Sequence, residues 1–296
     1  MGLSFEVLTT KKTAPIEILS KTTIQTHILP YLTTGSRGFE SKVPLCQIVV
    51  LILYRLKTGS QWRHLPTKKV FTHETLTWQG VFYHYNKWNK QGCWKTIWGE
   101  LLKVNPAQLD LSCVQRDGGH TPTKRGEQAV GYQPRKSANT TNALFLANNT
   151  GQPLAIATPQ AGNQHDLFSI QPLLEELGSV LQAAGIRVSG LFLNRTGEPA
   201  DPGFDAQLFR WFCKQVDIEA TIKPNSQSGQ KESTDYQYFD EELYQPRFVI
   251  EQTNGWLDGF KALLIRFETS LQNWLSLHWL AFCVLFLRKI NRKQKV

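Results

Sequence analysis

Tyr244, Arg247, Glu251, Asp258 and Lys261 stand at i, i+3, i+7, i+14 and i+17. At about 3.6 residues per helical turn, these five fall within about 100° of arc and would share one helix face. A solvated face ordinarily scatters its charges. Here an acid sits between a tyrosine, an arginine and a lysine, a grouping in which a phosphate and a metal ion could meet. Read as a plain exposed face, the same residues give only local ion pairs, worth ~0.2–0.5 kcal/mol each. Metal-assisted phosphate chemistry needs further acids, and the candidates are Asp117 in QRDGGH and Asp201 in LNRTGEPADPGFD. Taken singly, each is an ordinary turn aspartate. Taken with Glu251, they supply three hard oxygen donors. Such a set suits Mg²⁺ or Mn²⁺, which keeps waters and takes substrate phosphate in its remaining positions. Two such ions about 3.5–4 Å apart stabilise both the attacking and the leaving oxygen of a phosphoryl displacement.

The elements that would position these acids can be read from periodicity. Leu243, Ile250, Leu257, Leu264 and Leu271 recur every seven residues, with Phe260 and Phe267 beside them. That pattern predicts an amphipathic helix through Tyr244–Glu268, its greasy face opposite the polar stripe. Upstream, Leu109–Val114 alternates apolar with polar and predicts a strand running into QRDGGH, with Asp117 at its end. Asn142–Ala147 and Pro153–Thr158 predict two more strands, and Asn148–Gly151 between them is a hairpin signal. Asp166 is placed to cap a helix over Leu167–Ala184, closed by Gly185. Leu191–Asn194 reads as a short buried strand, Phe204–Val216 as a helix and Ala220–Lys223 as a fifth strand. A polar loop, Asn225–Asp235, and a last apolar helix, Trp274–Ile290, complete the chain. Three strands, helix, strand, helix, strand and helices make an α/β domain. Its mixed five-stranded sheet opens with an antiparallel meander and finishes with crossovers, the order of an RNase H-like domain.

The first hundred residues read differently. Residues 1–30 are weakly patterned. Pro44 can open a buried helix over Leu45–Lys57, stopped at Gly59. Further helices are predicted over Glu74–Gln91 and Trp94–Lys103. Five of the nine tryptophans lie between Trp62 and Trp98, interleaved with Arg63, His64, Lys68, Lys69, Lys87, Lys90 and Lys95. Three short helices in this setting fit a helix-turn-helix-like DNA reader. They fit equally a helical bundle whose tryptophans are its core, and for the aromatics the core reading is preferred. The expected organisation is a small all-α region over 1–105, followed by the RNase H-like part over 106–296.

Net charge is +9 and the pI near 9.3, which favours a polyanionic partner, nucleic acid before an anionic membrane. Five scattered cysteines, none in C-x-x-C spacing, indicate neither a zinc module nor a disulfide framework. The N-terminus lacks the layout of a secretory signal, and the run Leu271–Leu287 carries too many polar residues for a clean membrane span.

With these motifs assembled, the chain resembles the DDE transposases of bacterial insertion sequences, in the insertion-sequence-4 and -5 grouping, from about Pro30 to Ile290. The matching text is LKTGSQWRHLP, the W-x-x-VFYHYNKW run, RDGGHTPTKRG…AVGYQPRK, FLN…ADPGFD and YQPRFVIEQTNGWLDGFKALLIRFE. The last is similar to the family's Tyr-x-x-Arg-x-x-x-Glu signature, at Tyr244, Arg247 and Glu251. The resemblance implies that Asp117, Asp201 and Glu251 bind two Mg²⁺ or Mn²⁺ ions, and that Tyr244, Arg247 and Lys261 contact DNA near the element's end. Asp258 stands where the signature's lysine is expected. His165 and Asp166 echo a family segment, and His120 reads as a turn or core histidine. Asp110 is the reserve for the first acid.

The implied activity is binding of terminal inverted repeats, metal-dependent cleavage and strand transfer on double-stranded DNA. The implied setting is a homodimer in the cytoplasm, at the nucleoid, with no membrane. Two departures from the family pattern stand out. Arg195–Ala200 intervenes between FLN and Asp201, with Asp205 and Glu198 the poorer substitutes for that acid, and Pro246 replaces a basic residue. They keep two alternatives open, a catalytically inactive DNA-binding relic and an RNase H-like nuclease without strand transfer.

Overall fold

The computed structural model describes residues 17–33, 41–71, 76–111, 114–164, 168–186, 190–193, 219–221 and 248–293. In the N-terminal part, Ser20 caps α1 (Lys21–His27), its hydroxyl accepting from the Thr23 amide at 3.1 Å. This helix lies in the stretch whose sequence is weakly patterned. Helix α2 (Leu45–Thr58) follows Pro44 as expected and ends at Gly59, whose φ of +69° is the left-handed stop that glycine accepts freely. A four-residue turn of helix, α3 (Thr67–Val70), leads to α4 (Trp78–Lys90) and α5 (Cys93–Val104). Helix α4 starts at Trp78, the first residue of its apolar face, and not at Glu74 as expected. Trp88, Trp94 and Trp98 are fully buried, so these three are core, as preferred from sequence, whereas Trp62 and Trp78 are half-buried.

The sheet begins at β1 (Val114–Pro122). It continues through β2 (Gly131–Gln133), β3 (Ala138–Asn148), β4 (Pro153–Ile156) and β5 (Gln160–Ala161). Two more short strands, β6 (Gly190–Leu193) and β7 (Glu219–Thr221), complete it. The strand order is β2-β3-β1-β6-β7, with β4 and β5 also on β3. β3 pairs antiparallel with β1 and β4, whereas β6 runs parallel to β1 and β7 parallel to β6. An antiparallel meander continued by parallel strands on the far edge of the first strand is the RNase H-like arrangement, as expected. The short β2 and β5, which carry no run of alternation long enough to signal a strand, are additions to it.

The strand expected over Leu109–Val114 is displaced. A 3-10 turn occupies Pro106–Gln108 and pairing starts at Val114. Asp117 therefore lies inside β1 rather than at its end. The β3–β4 hairpin forms where predicted. Asn148 organises its turn, its side-chain oxygen accepting from the Thr150 and Gln152 amides at 3.0 and 2.8 Å. Helix α6 (Ile170–Ala183) packs on β4 and β3 and ends at Gly185, φ +71°. Ser169 stands at its N-cap position, and Asp166, expected there, lies outside the described residues.

The long amphipathic helix expected through Tyr244–Glu268 is broken. Helix α7 (Phe248–Asp258) stops before Gly259, and α8 (Lys261–Leu264) is a separate turn. Phe260 between them is extended, at φ −101° and ψ 98°, with its ring buried in the core. The seven-residue repeat thus marks two elements that each bury part of it. Ile250 and Leu257 are buried, whereas Phe267 is 52% exposed. After α8 the chain is extended. Arg266 bridges to Thr123 and adds to the end of β1, its amide donating to Pro122 O at 2.8 Å.

Helix α9 (Leu271–Lys293) returns to the N-terminal helices and packs on α5 and α4. Trp98 sits at this junction, edge-on to Phe282 and Phe286, and its indole N–H donates to Leu154 O of β4 at 2.6 Å. The helical region and the sheet therefore share one hydrophobic core. No described helix is long and apolar enough to cross a membrane.

Candidate active site

The site is built on β1. Its register with β6 runs from Val114–Leu191 to Arg116–Leu193. The last described residue of β6, Leu193, therefore pairs with the residue preceding Asp117. On the other side, Asp117 pairs with Phe145 of β3. In open α/β sheets, ligands commonly bind outside the carboxyl ends of the strands.

Helix α7 packs on β1. Ile250 and Thr253 are fully buried beneath it, and the Thr253 hydroxyl lies 2.7 Å from Gly151 O in the β3–β4 turn. Those anchors fix the helix by its first two turns. Glu251, in the first turn, is exposed to solvent.

Beyond Asp117 the strand borders a cleft of about 760 Å³. Gly118, Gly119 and His120 of β1 line one wall, and Asn254, Leu257 and Asp258 of α7 line another. Tyr132, Arg135 and Lys136, from β2 and the turn after it, close a third side, with Tyr132 55% exposed. Aromatic and cationic groups around a crevice of this size suit a nucleic-acid strand. His120 belongs to this wall and lies in the strand. Its Nδ1 is 3.3 Å from the Thr140 hydroxyl, and neither a turn nor the core holds it. His278 of α9, buried at the floor, has its pKa lowered to about 4 by burial, so it is neutral near pH 7. Its Nδ1–H then donates to Trp274 O at 3.1 Å.

Asp117 and Glu251 stand on adjacent, packed elements, while Asp258 lines the cleft with the residues following Asp117. Glu251 is not among the cleft's lining residues. Lys261 opens α8, past the break at Gly259, so it does not continue Glu251's helix face. Asp201, Tyr244, Arg247, His165 and Asp166 lie outside the described residues, as do the predicted helix Phe204–Val216 and the loop Asn225–Asp235. Asp110 lies before β1, with Asn149 donating to its carboxylate at 3.3 Å, apart from the cleft. Among the described residues no three His, Cys, Asp or Glu side chains gather as a metal site.

Sequence reading missed a buried charge centre behind the site. Arg55 of α2 donates to Glu268 at 3.0 Å, and the Trp62 indole N–H donates to the same carboxylate oxygen at 3.3 Å. Arg266, fully buried, donates to Gln128 O and to the Thr141 hydroxyl, each at 2.8 Å, and to Glu268 O at 3.2 Å. Together they tie α2 to the end of β1. One signal was available: Arg55 is the first charge after a long apolar run, QIVVLILY, where burial is forced and a partner is required.

Residues 23–98 match the family model described as "Putative transposase of IS4/5 family". No curated protein matches the chain. Among solved structures, it is similar to the Mos1 strand transfer complex at 12% identity, covering 86% of this chain and 79% of that chain, with a TM-score of 0.28. It is likewise similar to the Mos1 mariner paired end complex with Mn, at 14% identity, covering 86% and 81%, again with a TM-score of 0.28. The fold is defined by the strand order β2-β3-β1-β6-β7. Over its helical part the chain is similar to the transposases of the IS4/5 family, the grouping that its sequence motifs resemble.

Proposed function

We propose that the protein is a DDE transposase that binds the terminal inverted repeats of its element, cleaves the DNA there and joins the freed 3′-hydroxyl to target DNA. The observation that carries this reading is the juxtaposition at β1. Asp117 follows the residue that pairs with Leu193 of β6, α7 with Glu251 is packed on the same strand, and a cleft edged by Tyr132, Arg135 and Lys136 opens beside them. Asp117, Asp201 and Glu251 are the proposed acids. Asp117 and Glu251 lie on packed neighbouring elements, and together with Asp201, which lies outside the described residues, they would supply the hard oxygen donors for Mg²⁺ or Mn²⁺. When bound, the ion supplies Lewis-acid stabilisation of phosphate charge.

The chain's own residues bind and orient. Tyr244, Arg247 and Lys261 are proposed to contact end DNA, and Arg135 and Lys136 to hold the phosphate backbone along the cleft. The exposed lysines of the helical region, Lys68, Lys69, Lys90 and Lys95, would extend that grip. Bringing two ends together calls for at least a dimer, and the working place would be the cytoplasm, at the nucleoid. The test is incubation of the protein with pre-cleaved end DNA and a supercoiled target in Mn²⁺. Joined products support the transposase, cleavage without joining leaves a nuclease, and binding without either leaves an inactive relic.

A further inference from the structure

Away from the acids, the end of α2 meets α8 and α9 in a group of cations. The Lys57 ammonium donates to Gly259 O at 2.6 Å and lies 5.5 Å from the centre of the Phe260 ring. Two residues on, Gly59 presses against the backbone of Lys261. A Cβ at that glycine would sit 3.1 Å from the Lys261 carbonyl carbon and oxygen. The end of α2 is therefore locked against the start of α8, which puts Lys57 and Lys261 on neighbouring elements. On α9, the Arg288 guanidinium donates to Ile18 O at 3.2 Å, and Arg292 follows one turn later.

The electrostatics of this group are one-sided. Burial first, then Arg288 and Lys261, hold the Lys57 ammonium below its ordinary pKa. Burial and then Arg292 do the same to Arg288. Like charges one helical turn apart cost stability. The ion pairs among the described residues, Arg55–Glu268 and Lys103–Glu100, lie elsewhere. Lys261 and Arg292 are exposed. Asp258 and Leu263, on either side of Lys261 in sequence, both line the cleft, so Lys261 stands beside it. A chain that gathers like charges at its surface lowers their repulsion when a polyanion lies across them.

We infer that Lys57, Lys261, Arg288 and Arg292 form a clamp for the phosphodiester backbone of duplex DNA leaving the cleft, an inference that rests on the DNA reading above. The clamp ties the helical region to the α7–α8 break, so one duplex would touch both parts of the chain.

The experiment is fluorescence anisotropy with a labelled duplex of mixed sequence over a salt series. The variant Lys261→Gln/Arg292→Gln alters exposed side chains, and its thermal midpoint shows whether the fold is kept. Each phosphate contact contributes about 0.9 to the slope of log K against log salt. The double variant is expected to lower that slope by about 1.8 and low-salt affinity by tenfold or more. Lys103→Gln, whose lysine pairs with Glu100 outside the group, keeps the wild-type slope. A double variant with the wild-type slope overturns the clamp while leaving the DNA reading intact. No binding of duplex by the wild type would overturn both.

Discussion

Arg55 and Glu268, 213 residues apart in sequence, form a buried ion pair at 3.0 Å, with their side chains 5% and 8% exposed. The pair joins the first long helix to the segment that extends β1. Removing one partner strands the other charge in the core. Arg55→Ala is expected to cost about 3–5 kcal/mol, whereas Arg55→Met/Glu268→Leu, which removes both charges, costs far less. Urea unfolding of the two variants checks this. Equal losses would show that packing, and not the stranded charge, sets the cost.

Trp98 carries the contact between α5 and the sheet. Trp98→Phe keeps most of the ring and leaves the Leu154 carbonyl without its indole donor, an expected loss of about 1–3 kcal/mol. Trp98→Ala also empties the space against Phe282 and Phe286 and should cost about 3–5 kcal/mol. Thermal unfolding ranks the two. If Trp98→Phe were neutral, the hydrogen bond would have no part in docking the helices.

Much of this architecture was legible. The apolar run of α2 with Pro44 and Gly59 at its ends, the Asn148–Gly151 turn and the apolar segments of the hairpin announce themselves through local chemistry. The break after Asp258 did not, because Phe260 and Leu264 keep the seven-residue repeat going while the backbone turns out of the helix to bury the Phe260 ring. Strand β1 was misplaced for a related reason. Gly118, Gly119 and Pro122 read as a turn, yet pairing with β3 carries them through. Arg266 and Glu268 lay hidden because their partners come from α2 and β3, a relationship that no local pattern encodes. Of the site, the sequence marked Asp117 and Glu251. His120, read as a turn or core histidine, lines the cleft because β1 continues through it, and His278 was not singled out because its placement depends on how α9 packs.

His278 makes stability depend on pH. Its folded pKa, about 4, lies below the ordinary 6.5, so the unfolded chain takes up the proton first. Stability is then fully present above about pH 6.5 and is lost as pH falls towards 4, at about 1.4 kcal/mol per pH unit from this group. Urea unfolding across that window should show a slope about one proton steeper in the wild type than in His278→Leu. Matching slopes would mean that His278 takes its proton in the folded protein.

Glu251, with Asp117, is proposed to perform phosphodiester chemistry beside β1. Cleavage of a labelled duplex carrying the element's own end, in Mn²⁺, by wild type, Glu251→Gln and Asp258→Asn, with binding measured in parallel, tests this. Wild type and Asp258→Asn are expected to cleave, and Glu251→Gln to lose about 10³-fold or more with binding intact, the scale expected when a group stabilising the transition state is removed. Retained cleavage in Glu251→Gln would contradict this assignment, and loss in Asp258→Asn alone would move the third acid to the residue that lines the cleft.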